Sequence, residues 1–262
     1  MSGRGNRRET LIPKGFITAL RLLTVIPISG SETDNKYRAL PYFVAVGAII
    51  GLLQYFAAQG IYYVSGLTLF AGLIITILNY MLTGWLHLDG LADTADAFGT
   101  VHSTEKTLTI LKDPHTGTFG VAAVVIAILW RVIAYQQLFE MKMTLWIVFA
   151  LLNSRILQGF LLLLFPYARG EEGKAFGFKG PLWITIVLVL QATFISVAVG
   201  YFNNIYILYW ALPIGTVAIV PLCRIYMKHI GGLTGDCIGA ATELFEIAFL
   251  TVVVALGSAY LV

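Results

Sequence analysis

Three aspartates spaced i, i+4 and i+7 stand in the segment His87-Leu88-Asp89-Gly90-Leu91-Ala92-Asp93-Thr94-Ala95-Asp96, at the end of an apolar run that begins near Ile61. On a helix turning about 100° per residue, Asp93 and Asp96 each fall within about 40° of Asp89. Carboxylates stacked on one face repel each other and destabilise the helix. A hard divalent cation held by oxygen ligands offsets that repulsion, so the spacing predicts a metal site. The small residues Gly90, Ala92 and Ala95 leave room for a bulky or phosphorylated ligand to approach the same helix. His87 is equally readable as structural or functional.

Three further clusters carry chemistry. The first is Lys112-Asp113-Pro114-His115-Thr116-Gly117-Thr118-Phe119-Gly120. Pro114 ends the helical spacing of 104–111, and Gly117 and Gly120 open the next apolar run. Backbone amides at a helix start, with Lys112 nearby, suit a phosphate; an ordinary turn into a membrane helix is the plainer alternative. The second is Gly231-Gly232-Leu233-Thr234-Gly235-Asp236, followed by Glu243 and Glu246 inside an apolar run. Asp236 and Glu243 are seven apart and share a face. An intramembrane carboxylate is costly and marks a functional site, unless Glu246 is paired with an arginine. The third is Asn153-Ser154-Arg155 within a run, with Tyr167-Ala168-Arg169 and Lys174 beyond it. Arg155 needs an anionic partner, which a carboxylate or a substrate phosphate would provide through bidentate hydrogen bonds. Arg131 reads better as one half of a structural ion pair.

The elements that must position these residues are membrane helices. The chain is 58% hydrophobic and 12% charged, with mean hydropathy +0.82, too apolar for a soluble domain of its length. Apolar runs at 40–59, 61–84, 118–139, 143–165, 181–201, 205–222 and 241–261 predict an all-α polytopic bundle of about seven spans. Residues 1–14 form a basic tail, and 15–28 are read as a helix in the membrane interface with Arg21 on its polar side, an extra span being the alternative. Gly47-x-x-x-Gly51 suits close helix packing. Two cysteines, Cys223 and Cys237, give neither a zinc spacing nor a disulfide framework. A net charge of +3 does not suggest a nucleic-acid partner.

With the N-terminus in the cytoplasm, every lysine and arginine outside the spans falls on the cytoplasmic side, save Lys142 and the interfacial Arg21. The polar segments 85–117, 166–180 and 223–240 then face the cytoplasm together and can converge on one site of a single catalytic domain. Carboxylates, a cation to neutralise them, and arginines and lysines for phosphate read as magnesium-dependent phosphoryl or phosphodiester transfer at that face.

The segment His87 to Asp96 resembles the hallmark of the cobalamin synthase family, the adenosylcobinamide-GDP ribazoletransferases. The resemblance runs along most of the chain. It includes Thr24-Val25-Ile26-Pro27, Arg38, Asp113 to Gly120, Ser154-Arg155, Tyr167-Ala168-Arg169, Gly231 to Asp236, Gly239-Ala240 and Glu243-Leu244. Pro114 and His115 depart from the family's usual Ser and Arg, and Val25 from a frequent Arg. The resemblance implies a membrane enzyme that joins adenosylcobinamide-GDP to alpha-ribazole or its 5'-phosphate, giving adenosylcobalamin or its 5'-phosphate and GMP with Mg2+ as cofactor. In that scheme Asp89, Asp93 and Asp236 bind magnesium, and Glu243 binds or orients it. Arg155, Arg169, Lys174 and Lys112 hold phosphates. Asp96 is a further ligand or the general base, and the base lies among Asp96, His87 and Asp113. The sequence is compatible with a homo-oligomer and sets no oligomeric state. The alternatives are a membrane CDP-alcohol phosphotransferase, whose Asp-Gly-x-x-Ala-Arg motif carries an Arg that is missing after Asp89-Gly90-Leu91-Ala92-Asp93, and a cation or metabolite transporter.

Overall fold

The computed structural model describes residues 12–100, 103–169, 175–203 and 210–261 and is built of helices. Helix α1 (Lys14–Leu23) buries Ile17, Leu20 and Leu23 and turns Arg21 outward, where it binds Glu32 and the carbonyls of Ile28 and Gly30. It ends well before the expected residue 28, because the chain becomes extended at Thr24 and Val25 donates its N–H to the Leu82 carbonyl. Ten residues reach only about 15 Å, half of a bilayer's hydrocarbon core, so α1 is not an additional span.

After a short 3-10 segment (Lys36–Tyr42) come α2 (Phe43–Ser65), α3 (Thr68–Thr83), α4 (Leu86–Phe98) and α5 (Thr104–Ile110). They are followed by α6 (Thr118–Glu140), α7 (Trp146–Leu164), α8 (Leu182–Asn203), α9 (Ala211–Ile230) and α10 (Gly235–Leu261). Each of the seven predicted apolar runs is a helix: α2, α3, α6, α7, α8, α9 and α10. Among the described residues, five helices are long and apolar enough to cross a membrane alone, and a sixth span results if α3 and α4 count as one bent span. Helix α3 has only 16 residues, and the described apolar part of α8, Leu182–Ala198, is also short.

Two boundaries differ from expectation. The first break falls at Gly66, whose left-handed φ of 67° terminates α2, and Gly60 lies inside the helix. The supposed polar segment 223–240 is almost all helix. Helix α9 runs on to Ile230 and α10 begins at Gly235, leaving only 231–234 between them. The reason is terminal charge: Lys228 and His229 sit at the negative C-terminal end of α9, and Asp236 at the positive N-terminal end of α10.

Glycines set two close packings. A Cβ on Gly47 would lie 2.7 Å from the Leu151 carbonyl oxygen, and one on Gly51 2.9 Å from Val148 Cα, so α2 and α7 touch backbone to backbone. The turn into α4 needs two left-handed residues, Gly84 at φ 60° and Trp85 at φ 61°. A tryptophan rarely takes that conformation; here its ring stacks on Tyr80 at 5.5 Å. The turn bends the chain by 88°, so the short acidic α4 runs nearly at right angles to α3.

Gly47→Val should lower the melting temperature of the purified protein, losing about 1–3 kcal/mol to overpacking. Gly60→Ala, where nothing lies within 4 Å, should leave it unchanged or raise it through helix propensity.

Candidate active site

Helix α4 lies directly on the start of α10. A Cβ on Gly90 would meet the Asp236 carbonyl oxygen at 2.7 Å, and Gly239 packs with Leu86 and His87. The glycine between the aspartates therefore admits a helix, where the sequence suggested room for a ligand. This contact sets Asp89 beside Asp236. Arg169 arrives by a different route. Leu233 donates its N–H to the Pro166 carbonyl and Ala168 donates to that of Leu233, a two-residue parallel bridge. Gly232 is the close-approach position, where a Cβ would lie 3.0 Å from Ala168 N. The bridge carries the Arg169 guanidinium to 3.0 Å from Asp236 Oδ2 and 2.8 Å from the Leu111 carbonyl. Thr234 Oγ1 accepts the Cys237 N–H and caps α10.

Asp89, Arg169 and Asp236 line the mouth of one cavity of about 330 Å³, with His87, Gln158 and Tyr167 also in its wall. Half-buried Asp93 stands one turn along α4. Desolvation pushes its carboxyl up to about 7, and the charges of Asp89, Asp236 and Asp96 add to the shift while Arg169 opposes it. Among the described residues, no three His, Cys, Asp or Glu side chains are grouped so as to hold a metal ion. Two carboxylates at a pocket mouth are nevertheless a fitting half-set for a hard cation whose other ligands are water and phosphate oxygens.

Other predicted site residues serve differently. Asp96 accepts the N–H of Gly117 at 2.6 Å and of Gly120 at 2.9 Å through its two oxygens. It thus takes the amides expected to receive a phosphate and fastens α4 to the start of α6, as a clamp with both oxygens engaged. Glu243, expected at the metal, is buried with Arg131, whose Nη2 lies 2.6 Å from Glu243 Oε1; Tyr80 donates to the same oxygen at 2.8 Å. Glu246 accepts from Arg131 at 2.8 Å and from Ser154 at 2.6 Å. Arg155, expected on phosphate, is fully buried, 3.4 Å from Glu246 and 3.2 Å from His87 Nδ1. An arginine only donates, so His87 Nδ1 is an acceptor already in use. Exposed Asp113 binds the backbone N–H and ring Nδ1 of His115 at 2.9 Å and 2.7 Å, which lowers its pKa. Lys112 shares a shallow hollow with Asp113 and His115 in the α5–α6 loop. Lys174 lies outside the described residues.

Sequence reasoning missed Tyr80 and Gln158, and it named Tyr167 only as a neighbour of Arg169. Gln158 carried a usable signal, being a polar residue inside an apolar run. Tyr80 carried none, because a tyrosine near a span end is ordinary.

Arg131→Leu should cost about 3–5 kcal/mol, because it strands two buried carboxylates, and should be read as loss of folded protein in detergent. Combining it with Glu243→Gln alone, which leaves Glu246 paired with Arg155, should recover part of that loss. No recovery would mean that the ion pairs are not what the arginine supplies.

The chain matches the cobalamin-5-phosphate synthase family over residues 15–254. It is 34% identical over 246 residues to an adenosylcobinamide-GDP ribazoletransferase of Chlorobium phaeobacteroides (strain BS1), covering 89% of this chain and 94% of the relative. It is 35% identical to the protein of that name from Prosthecochloris aestuarii (strain DSM 271 / SK 413), covering 88% and 94%. For that of Acinetobacter baumannii (strain ACICU) the identity is 33%, over 88% and 93%. No solved structure matches the chain. The aspartate helix, the glycine-mediated contact with Asp236 and the Arg169 bridge all fall within the matched span, and the chain belongs to the cobalamin-5-phosphate synthase family.

Proposed function

We propose that this membrane protein joins adenosylcobinamide-GDP to alpha-ribazole or its 5'-phosphate, releasing GMP and forming adenosylcobalamin or its 5'-phosphate. The observation that carries this reading is the meeting of Asp89, Asp236 and Arg169 around one cavity at a bundle end. It fits a transferase drawing a nucleotide from the adjoining water, and it fits poorly with a transporter, whose charges belong near mid-membrane. The buried Arg131, Arg155, Glu243 and Glu246 are instead paired with each other.

The reaction is an exchange at phosphorus. The ribazole 3'-oxygen forms a bond to the phosphorus on the cobinamide side, the bond to the bridging oxygen breaks, and GMP departs with that oxygen. Asp89 and Asp236 would hold Mg2+, which neutralises charge on the pyrophosphate. Arg169 turns from Asp236 to the phosphates as the substrate enters. Asp93 takes the proton of the 3'-hydroxyl. Its raised pKa gives it a proton affinity near neutrality, suited to a general base, and the expected candidates Asp96 and His87 have their acceptor atoms occupied. Positioning two anions contributes the rest. Arg169, Arg224 and Lys228 lie toward the site-bearing end, which supports a site facing the cytoplasm of a bacterial or archaeal cell.

GMP release from adenosylcobinamide-GDP and alpha-ribazole tests the reading, with CDP-alcohols offered in parallel. Turnover of CDP-alcohols alone would overturn it. Asp89→Asn and Asp236→Asn should raise the Mg2+ concentration needed for half-activity. Asp93→Asn should lower kcat by about 10²–10⁴-fold. Because Asp93 must lose its proton to act as the base, kcat/KM should climb with pH on a limb that rising Mg2+ moves to lower pH, and Asp93→Asn should erase that limb.

A further inference from the structure

Away from the aspartates, a groove of about 740 Å³ runs between α7 and α9. It exists because α9 packs along α10 and against α5 without packing along α7. Both helices are long and apolar enough to cross a membrane. Leu157, Phe160, Leu161 and Leu164 of α7 form one wall, and Ile219 and Val220 of α9 belong to the other. The groove occupies the half of each helix nearest the site. There α7 ends at Leu164, two residues before the Pro166 bridge, and α9 ends at Ile230, just before α10 and Asp236.

The charge of the groove lies at one end. Arg224 and Lys228 line it one turn apart on the same face of α9, and both are exposed. Among the described residues neither has an ion-pair partner. Like charges at this spacing repel, and an anion between them offsets the repulsion. At the deep end Thr216 donates its hydroxyl to the Leu212 carbonyl, so that proton is satisfied within the helix. From Lys228 to Thr216 the groove follows α9 for about 18 Å. One leaflet of a bilayer has a hydrocarbon depth of about 15 Å.

The fitting ligand is therefore an amphipath one leaflet deep, with an apolar chain and a net negative head. A soluble phosphate matches the two cations and leaves the apolar walls unfilled. A zwitterionic phospholipid fills the walls but brings its own cation to the charged end. An anionic phospholipid satisfies both, and basic pockets between membrane helices are suited to such heads.

We infer that the groove between α7 and α9 holds one anionic phospholipid from the leaflet bordering the site, its chain along the walls and its phosphate between Arg224 and Lys228. The inference is independent of the transfer reaction. The lipid would abut Phe165, which lines the groove and leads into the bridge that carries Arg169.

Native mass spectrometry of the purified full chain, titrated in detergent with phosphatidylglycerol or phosphatidylcholine, counts the lipids bound. The first phosphatidylglycerol should bind about fivefold or more tighter than the first phosphatidylcholine, the factor that one basic residue near a membrane surface is worth. Arg224→Gln with Lys228→Gln should bring the two lipids level. Val220→Trp, which fills the groove from an exposed position with both charges in place, should do the same. Val217→Trp, also exposed on α9 but outside the groove wall, should keep the wild-type preference. Equal wild-type affinities, or a preference that survives either the double charge variant or Val220→Trp, would overturn the inference. So would a dimer that excludes lipid, which would give the groove to a second copy, or loss of the bound lipid on adding adenosylcobinamide-GDP, which would give it to substrate. Should Val220→Trp not fold, the wild-type pair of lipids and the charge variant still decide.

Discussion

A buried set of two arginines and two glutamates holds this bundle together. Arg131 and Arg155 face Glu243 and Glu246 inside the apolar interior, and the four formal charges cancel. None of them could remain there alone, since an unpaired charge in a low-dielectric interior is far more costly than a paired one. Hydrogen bonds then spread from this centre. Tyr80 of α3 and Ser154 of α7 bind the glutamates, Tyr135 of α6 passes the contact to Gln54 of α2, and Gln54 reaches Asn79 of α3. Arg155 extends it to His87 of α4. The charge centre thereby links α2, α3, α4, α6, α7 and α10, and three of these, α4, α7 and α10, line the cavity.

The site depends on that centre through α10 and α4. Glu243 and Glu246 fix the rotation of α10, and Asp236 lies at the head of the same helix. Arg155 fixes His87, and Asp89 lies two residues further along α4. Between them the Gly90 contact brings two acidic helices closer than carboxylate repulsion would favour. The charge centre and the glycines together hold the aspartates close to one another.

Much of this was legible in the chain. The seven apolar runs, the acidic triplet and the segments contributing Asp236 and Arg169 were all readable, because hydropathy and helical periodicity are local properties. Partner choice was not. Glu243 and Arg155 were expected at substrate or metal, since an intramembrane charge advertises function without naming what it faces. That Arg131 answers Glu243 depends on the packing of α6 against α10, more than a hundred residues apart. The partners of Asp96 were hidden for a related reason: Gly117 and Gly120 come together with it only after the chain has turned at α5. Its sequence position gives it the same standing as Asp89, and only the fold makes it a clamp.

The order in which the charged partners are synthesised bears on how the protein is made. Arg131 and Arg155 belong to α6 and α7, while both glutamates belong to α10, the final helix. During synthesis the two arginines enter the bilayer with no carboxylate to meet them, and they stay uncompensated until the last span arrives. A chain lacking α10 would leave both arginines unanswered in the apolar interior and would also lack Asp236.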